Sequence, residues 1–420
     1  MNQSDTYRFL FVLWDGGGTI PPALALVRRV LAAGHSVRVL GPLSIEEKVK
    51  ATGADFSLTR FAPVCDPGNA DQEKKGRSPA AVAMAACDEY ARDVEETIAS
   101  FPVDIVVADY LLTGVYAAAE AAGIPCVSLV PSVYPLPLPG LPPFGSGFSP
   151  AIGIFGQIRD TVVNFVYQRV WNMNLKGLNR TRTRLGLPPV RSMKDQMLRA
   201  GRILVLTSSD FDFPAQLPAH VVYCGPQQDE PGQAAPWQSP WGEKQEEQPL
   251  ILVSLSTTYQ EQEDLIQRIL DAVDGLLVHV LATLGHAISP ERFHAPSNSR
   301  LVPFAPHGQI LPHTALVITH GGHGTVLKAL SYGVPVLVLP MGRDQGDIAA
   351  RVERLGAGKK VSKKADPLEI RSAVTAILDD PGFRKAAAAI AEKMTQKNEP
   401  ARAVVEMEAL IRESKEGQTQ

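Results

Sequence analysis

The sequence predicts an α/β protein made of two tandem domains, each built on a parallel sheet. Three observations lead there. Apolar, β-rich runs alternate with helical-period segments over most of the 420 residues. The runs are continuously apolar, as strands covered by helices on both faces must be. The alternation breaks once, between Pro226 and Pro249, where Gln, Glu, Pro and Trp dominate, and then resumes.

In chain order, Arg8 to Trp14 reads as the first strand, followed by a Gly-rich turn and a helix from about Pro21 to Ala33. Pro21 and Pro22 suit a first helical turn, where a missing N–H does no harm. Gly34 ends the helix, and Ser36 to Leu40 is the next strand. Asp104 to Ala108 and Ile124 to Val130 are strands with a helix, Thr113 to Ala122, between them. After the break, Leu250 to Leu255, Leu277 to Thr283, Ala315 to Thr319 and Val334 to Leu339 are strands, and Pro400 to Ser414 closes the chain as a helix. The expected division is residues 1–225, a linker 226–248, a second domain 249–399, and a C-terminal helix and tail 400–420.

Composition narrows the function class. The chain is 45% hydrophobic and 20% charged with a formal net charge of −3. This is globular composition with no electrostatic case for nucleic acid or an anionic membrane as partner. Cys65, Cys87, Cys126 and Cys224 are scattered without ligand spacing, so reduced, buried thiols are expected and no metal site. The N-terminus lacks a basic region and a cleavage site, and no uninterrupted apolar stretch reaches the roughly 18 residues of a spanning helix. A cytoplasmic protein, monomeric or homodimeric, is expected.

One segment departs from ordinary α/β composition. From Ala121 to Ile158 there is no Asp, Glu, Lys or Arg, and Pro131 to Pro150 is dense in Pro, Leu, Phe and Gly. Proline sustains neither helix nor central strand, so this is a long, restricted, apolar loop. It either packs on its own domain or forms one wall of a lipophilic pocket, with Tyr134, Leu136, Leu138, Phe144 and Phe148 as candidate acceptor-binding side chains.

The sharpest motif is Thr319-His320-Gly321-Gly322-His323-Gly324-Thr325, between the strand ALVIT and a helix carrying Val326, Leu327, Ala329 and Leu330. Glycines at a strand-to-helix turn let backbone approach a ligand, and free N–H groups at a helix start favour an anion. Thr325 adds a hydroxyl and His320 a charged donor. Together they describe a diphosphate cradle, distinct from a Walker loop because no GK[ST] is present.

From Phe304 through Gln345 the sequence resembles the donor signature of the UDP-glycosyltransferase superfamily of GT-B enzymes, particularly bacterial natural-product glycosyltransferases, and more loosely so over nearly the whole chain. The resemblance implies two Rossmann-like domains facing across a cleft. It also implies an inverting hexosyl transfer from a nucleotide diphosphate sugar to a small hydrophobic acceptor, without cofactor or metal. In FAPHGQILPH, Phe304 takes the place of the aromatic that stacks on the base, while Ala305 and His307 fall where the base edge is read. His320 falls where the family contacts phosphate, with Gly322, His323, Gly324 and Thr325 following in the cradle. GVPVLVLPMGRDQ ends in Asp344-Gln345, the pair implied to hold sugar hydroxyls, as acceptor and donor groups together can. Ser256 and Thr257, in SLST, match the hydroxyl-bearing turn that approaches the phosphates. Plant-type members carry a Glu eight residues after the motif His, gripping the ribose. Lys328 stands there in this chain, so a dTDP-sugar stays open beside UDP-glucose.

The family's catalytic His, in a GHxxP segment after the first strand, is absent. Aligned on the Pro and the ALAL that follows, Thr19 holds its place, and a threonine is no base at neutral pH. Asp15 sits at the carboxyl end of the first strand, where ligands meet open α/β sheets, and could be the base. Asp109, matching the family's orienting Asp, could act directly or through Thr19 and a water. An acidic acceptor could also lose its proton with little help. Asp15 could equally cap an Asx turn, and Asp109 a helix. The working carboxylate should be desolvated, since one near pKa 4 is a weak base.

Three other functions compete with this one. A nicotinamide or flavin enzyme needs GxGxxG and an acidic residue after the second strand, where this chain has GGGTIP and Gly41. A sugar-nucleotide epimerase or hydrolase has no use for the charge-free loop. A non-catalytic binding protein is motivated only by the missing histidine.

Overall fold

The computed structural model describes residues 6–64, 78–228, 236–242, 248–255, 262–285 and 288–417. Two sheets organise them, and every strand pair is parallel. The first has seven strands: β1 Arg8–Val12, β2 Ser36–Gly41, β3 Asp55–Leu58, β4 Ile105–Asp109, β5 Cys126–Val130, β6 Arg202–Val205 and β7 Val221–Tyr223. Their order is β3-β2-β1-β4-β5-β6-β7. The second has six: β8 Leu250–Ser254, β9 His279–Thr283, β10 Ser299–Val302, β11 Thr314–Thr319, β12 Val336–Val338 and β13 Gly358–Lys360, in the order β10-β9-β8-β11-β12-β13. Strand order reverses between β1 and β4 in one sheet and between β8 and β11 in the other. Crevices therefore open at the carboxyl ends of those four strands.

The central strands β4, β5 and β8 are buried at every position, which is why their sequences are continuously apolar. The predicted first helix forms as Ile20–Ala32, with Pro21 and Pro22 in its first turn. It ends before Gly34, whose φ of +89° other residues resist. Strands β3, β6, β7, β10 and β13 were not legible in the sequence. Four of them are short sheet edges, and β6 carries only four residues.

The closing helix, Glu399–Gly417, belongs to the first sheet's core although the second sheet precedes it. Ala403, Met407, Leu410 and Ile411 are buried in one cluster with Phe9, Val30 and Leu204. Its polar face is pinned to the same lobe: Glu408 lies 3.0 Å from the buried His35, and Glu399 accepts from the Ser209 hydroxyl at 2.6 Å. Two tryptophans of the break dock on the second lobe. The Trp237 amide donates to Gln309 at 2.5 Å, and the Trp241 ring stacks on His279. Cys87, Cys126 and Cys224 are free and buried. Cys65 lies outside the described residues. Among those residues, no helix is long and apolar enough to cross a membrane.

The charge-free loop packs largely on its own lobe. Tyr134 and Leu136 are buried in a cluster with Trp171, Met193 and Phe213. These two side chains therefore form core and not the wall of an open pocket, because the prolines around them fold the chain back over β5 and β6. Leu138 is only partly buried against that cluster. Phe144 meets the edge of Tyr167, and Phe148 lies under Arg159, so both stay nearer the surface.

Candidate functional site

The cradle residues follow from a strand that ends abruptly. After β11, Gly321 adopts φ +94°, and a Cβ there would lie 2.7 Å from Val338 and 3.1 Å from the Gln345 carbonyl. Only glycine makes this turn, and the turn brings the His320 loop against the Asp344–Gln345 loop. Gly322 then caps the helix His323–Ser331, whose first turn holds no acidic residue. The amides of His323, Gly324 and Thr325 open the helix with the polarity that suits an anion. The His320 ring sits over Gly322, where a Cβ would meet Nε2 at 2.8 Å.

Both histidines are neutral at pH 7. Burial, with Arg343 nearby, pushes His320 down to about 4, against a small upward pull from the Ser254 backbone. Burial and Arg351 push His323 down to about 3. The charged donor expected at His320 is therefore an uncharged hydrogen-bonding ring, because desolvation disfavours the imidazolium.

Asp344 caps the helix Gln345–Arg354 and follows Arg343, which is held at φ +55°. Gln345 is buried and its carbonyl accepts from the Met341 and Gly342 amides at 2.7 and 3.1 Å, so its NH2 end is the one left to donate to a ligand. Across from it, the Ser132 hydroxyl donates to Asp344. Asp347 accepts from the amides of Gly145 and Gly147 at 2.6 and 2.7 Å. The loop after β5 is thus fastened to the start of this helix, and nothing in the sequence marked Ser132 or Asp347 for the task. Phe304 is 69% exposed beyond β10, while Ala305 is buried in the same core as Val326 and Val338. His307 opens the short helix His307–Ile310. Ser256 and Thr257 lie outside the described residues.

On the first lobe the two base candidates part company. Asp15 accepts from the Gly17 amide at 3.1 Å and from the Ser44 hydroxyl at 2.8 Å, the Asx turn that the following glycines require. Both its oxygens are engaged in shaping the turn, which fits a structural role. Asp109, ending β4, is buried and accepts from the Leu111 amide at 3.0 Å. Burial pushes its carboxyl up to about 7, with the Leu111 amide and the Trp14 indole pulling back down. Asp109 and Thr19 line one cavity of about 10 Å³ together with Trp14, Ala23, Leu129 and Pro131, room for a single water. Within it the buried Thr19 hydroxyl has no protein partner. Gly16 permits this arrangement, since a Cβ there would strike the Trp14 ring at 2.7 Å.

Tyr110 lies within electrostatic reach of Tyr167, Asp109 and Asp344. Its phenol is pushed well up by burial first, and Asp109 and Asp344 both add to the rise. The end of β4 and the start of Gln345–Arg354 therefore converge on one place. A carboxyl titrating near neutrality on one side, and a carboxylate–amide pair beside an anion-binding helix end on the other, can hold a phosphorylated polyol and deprotonate a second molecule.

Comparison with known proteins agrees with this fold. Residues 267–410 match the family described as erythromycin biosynthesis protein CIII-like, C-terminal domain. The chain is 28% identical to the 4'-demethylrebeccamycin synthase of Lentzea aerocolonigenes, over 96% of this chain and 99% of that protein. The crystal structure of the glycotransferase of kitacinnamycin superposes with a TM-score of 0.79 at 20% identity, covering 97% of this chain and 100% of the other. The glycosyltransferase VinC, solved in complex with DTDP, superposes at 0.65 with 19% identity, covering 96% and 99%. The chain has the GT-B fold and is a glycosyltransferase, similar to those of bacterial natural-product type.

Proposed function

We propose that this enzyme moves a hexose from a nucleotide diphosphate sugar to a hydroxyl of a small hydrophobic natural product, with inversion at the anomeric carbon. The observation that carries the reading is Asp109: a buried carboxyl with its pKa brought to about 7, beside a water-sized cavity shared with Thr19. That value matches a general base working at neutral pH, and the site supplies it without the missing histidine. Asp109 takes the acceptor proton, through the Thr19 hydroxyl and one water. The acceptor oxygen attacks the anomeric carbon from the face opposite the diphosphate, and the sugar–phosphate bond breaks with its electron pair.

The departing diphosphate meets the helix start at His323 to Thr325, the Thr325 hydroxyl and the neutral His320, with Arg343 as the nearby cation. Asp344 accepts from, and the Gln345 amide donates to, the hexose hydroxyls. No metal is part of this reading. Phe304 stacks on the base. UDP-glucose is the first donor to try, with dTDP-glucose beside it: Lys328 replaces a ribose-gripping Glu, and the neighbour solved with DTDP supports a deoxyribose. The test is incubation of each donor with a polyphenol panel, read by mass spectrometry. A glycoside mass shift with nucleotide release is expected. Nucleotide release without glycoside would show a hydrolase, and neither would show a binding protein.

A further inference from the structure

The helix Gly153–Trp171 presents a face that the other described residues leave uncovered. Nine of the eighteen large apolar side chains exposed among the described residues fall between Ile152 and Met173. Phe155, Ile158, Val162, Phe165, Val166 and Val170 recur at spacings of three, four and one, forming one stripe along the helix. Phe155 is 85% exposed and Phe165 68%. The opposite face is already in use, with Trp171 buried and Tyr167 packed against Trp171 and Phe144.

The patch is on the order of 1,000 Å², taking whole aromatics at about 150–250 Å² each. An ordinary monomer's largest patch is about 300–600 Å². A stable protein interface needs about 800 Å² from each partner. Residues 65–77 and 243–247, outside the described residues, are polar by sequence. A membrane surface is a poor match, because interfacial helices carry Lys and Arg along a polar face, whereas the other side of this helix sets Tyr167 and Trp171 against the protein and exposes the uncharged Gln157 and Thr161. Of the charges on the helix, Arg159 pairs with Asp160 at 2.7 Å and Arg169 is exposed.

We propose that two copies of this chain pair through this helix, antiparallel, about a two-fold axis between Val162 and Val163. That register sets Phe155 of one copy against Val170 of the other, and Ile152 against Met173. It also lays the exposed Arg169 over Gly156, which has no side chain to clash, whereas a parallel pairing would bring the two Arg169 side chains together. The interface is isologous and closes at two copies.

Sedimentation velocity of the full chain at micromolar concentration should give a species of twice the chain mass. The double variant Phe155→Glu/Val166→Glu should sediment as a monomer with unchanged thermal melting. A single-cysteine probe fixes the register and does not depend on that variant folding. Val162→Cys should form an intermolecular disulfide under a mild thiol oxidant, with the unmodified chain as control. Phe155→Cys should not, because its mate lies about 22 Å away along the pair at 1.5 Å per residue. A monomeric wild type, a double variant that still dimerises, or cross-linking at position 155 but not 162 would each overturn the proposal. So would a monomer that co-floats with phosphatidylcholine vesicles, which would give the stripe to a membrane.

Discussion

The Ser132 hydroxyl, on the loop after the first sheet's fifth strand, donates to Asp344 at the head of a helix on the second sheet. The bond uses Oδ2 and leaves Oδ1 for a ligand, so Ser132 aims the carboxylate that is proposed to hold the sugar. A hydrogen bond to a charged group contributes about 1.5–3 kcal/mol. Ser132→Ala should therefore raise the donor KM roughly tenfold with a smaller change in kcat, while Asp344→Ala and His320→Ala abolish transfer with melting preserved. Steady-state kinetics with donor varied checks this. Wild-type kinetics in Asp344→Ala would remove the sugar-site assignment.

Asp109 gives a pH dependence with two opposite signs. As a base it must be ionised, so kcat/KM should climb with pH through about 7 and level off above. Its folded pKa lies above the unfolded value, so its contribution to stability is complete below about pH 4 and is lost as pH rises through 7. Asp109→Asn should cost at least roughly a hundredfold in rate yet melt no lower than wild type at pH 8. A variant that keeps its rate would leave proton loss to the acceptor alone.

The lobes are also joined by a buried ion pair. Asp212 and Arg351 meet at 2.7 Å, both almost wholly inaccessible, with the Tyr223 hydroxyl donating to Asp212 and the Phe213 ring beneath the guanidinium. Removing one partner of such a pair costs about 3–5 kcal/mol, because the other is left charged and unpaired. Urea unfolding of Asp212→Ala should show that loss. Replacing Arg351 by Met in the same chain should return part of it.

Met407, on the closing helix, is buried in the first sheet's core. Met407→Ala should destabilise by about 2–5 kcal/mol, and truncation before Glu399 should expose the face of Phe9 and Val30. Binding of a hydrophobic dye by the truncated chain, with the second lobe's tryptophans unchanged in fluorescence, would confirm which lobe the helix serves.

Leaving-group charge is assigned to the helix end, Thr325 and Arg343. Saturating EDTA in the transfer assay should then leave the rate unchanged. A rate lost to EDTA and restored by a divalent cation would contradict that assignment.

The two sheets and the Thr319–Thr325 turn were legible because buried parallel strands and a glycine cradle carry strong local signals. Short strands such as Val221–Tyr223 carry too few residues to show a period. The base could not be chosen between Asp15 and Asp109 from sequence, since both are acids at strand ends. Only the fold shows that Asp15 closes an Asx turn while Asp109 is buried beside Trp14, lining the same cavity. Ser132 and Asp347 were invisible because their partners lie about 200 residues away, within the other lobe. The charge-free loop stands out by composition, but composition alone does not tell Tyr134, turned into the core, from Phe148, left near the surface.

The most direct test is the anomeric configuration of the product, read by proton NMR after transfer from an α-linked UDP- or dTDP-glucose to a phenolic acceptor. A β-glycoside is expected, from attack opposite a diphosphate held at the His323 helix start. An α-glycoside would contradict the single in-line displacement and, with it, the role given to Asp109.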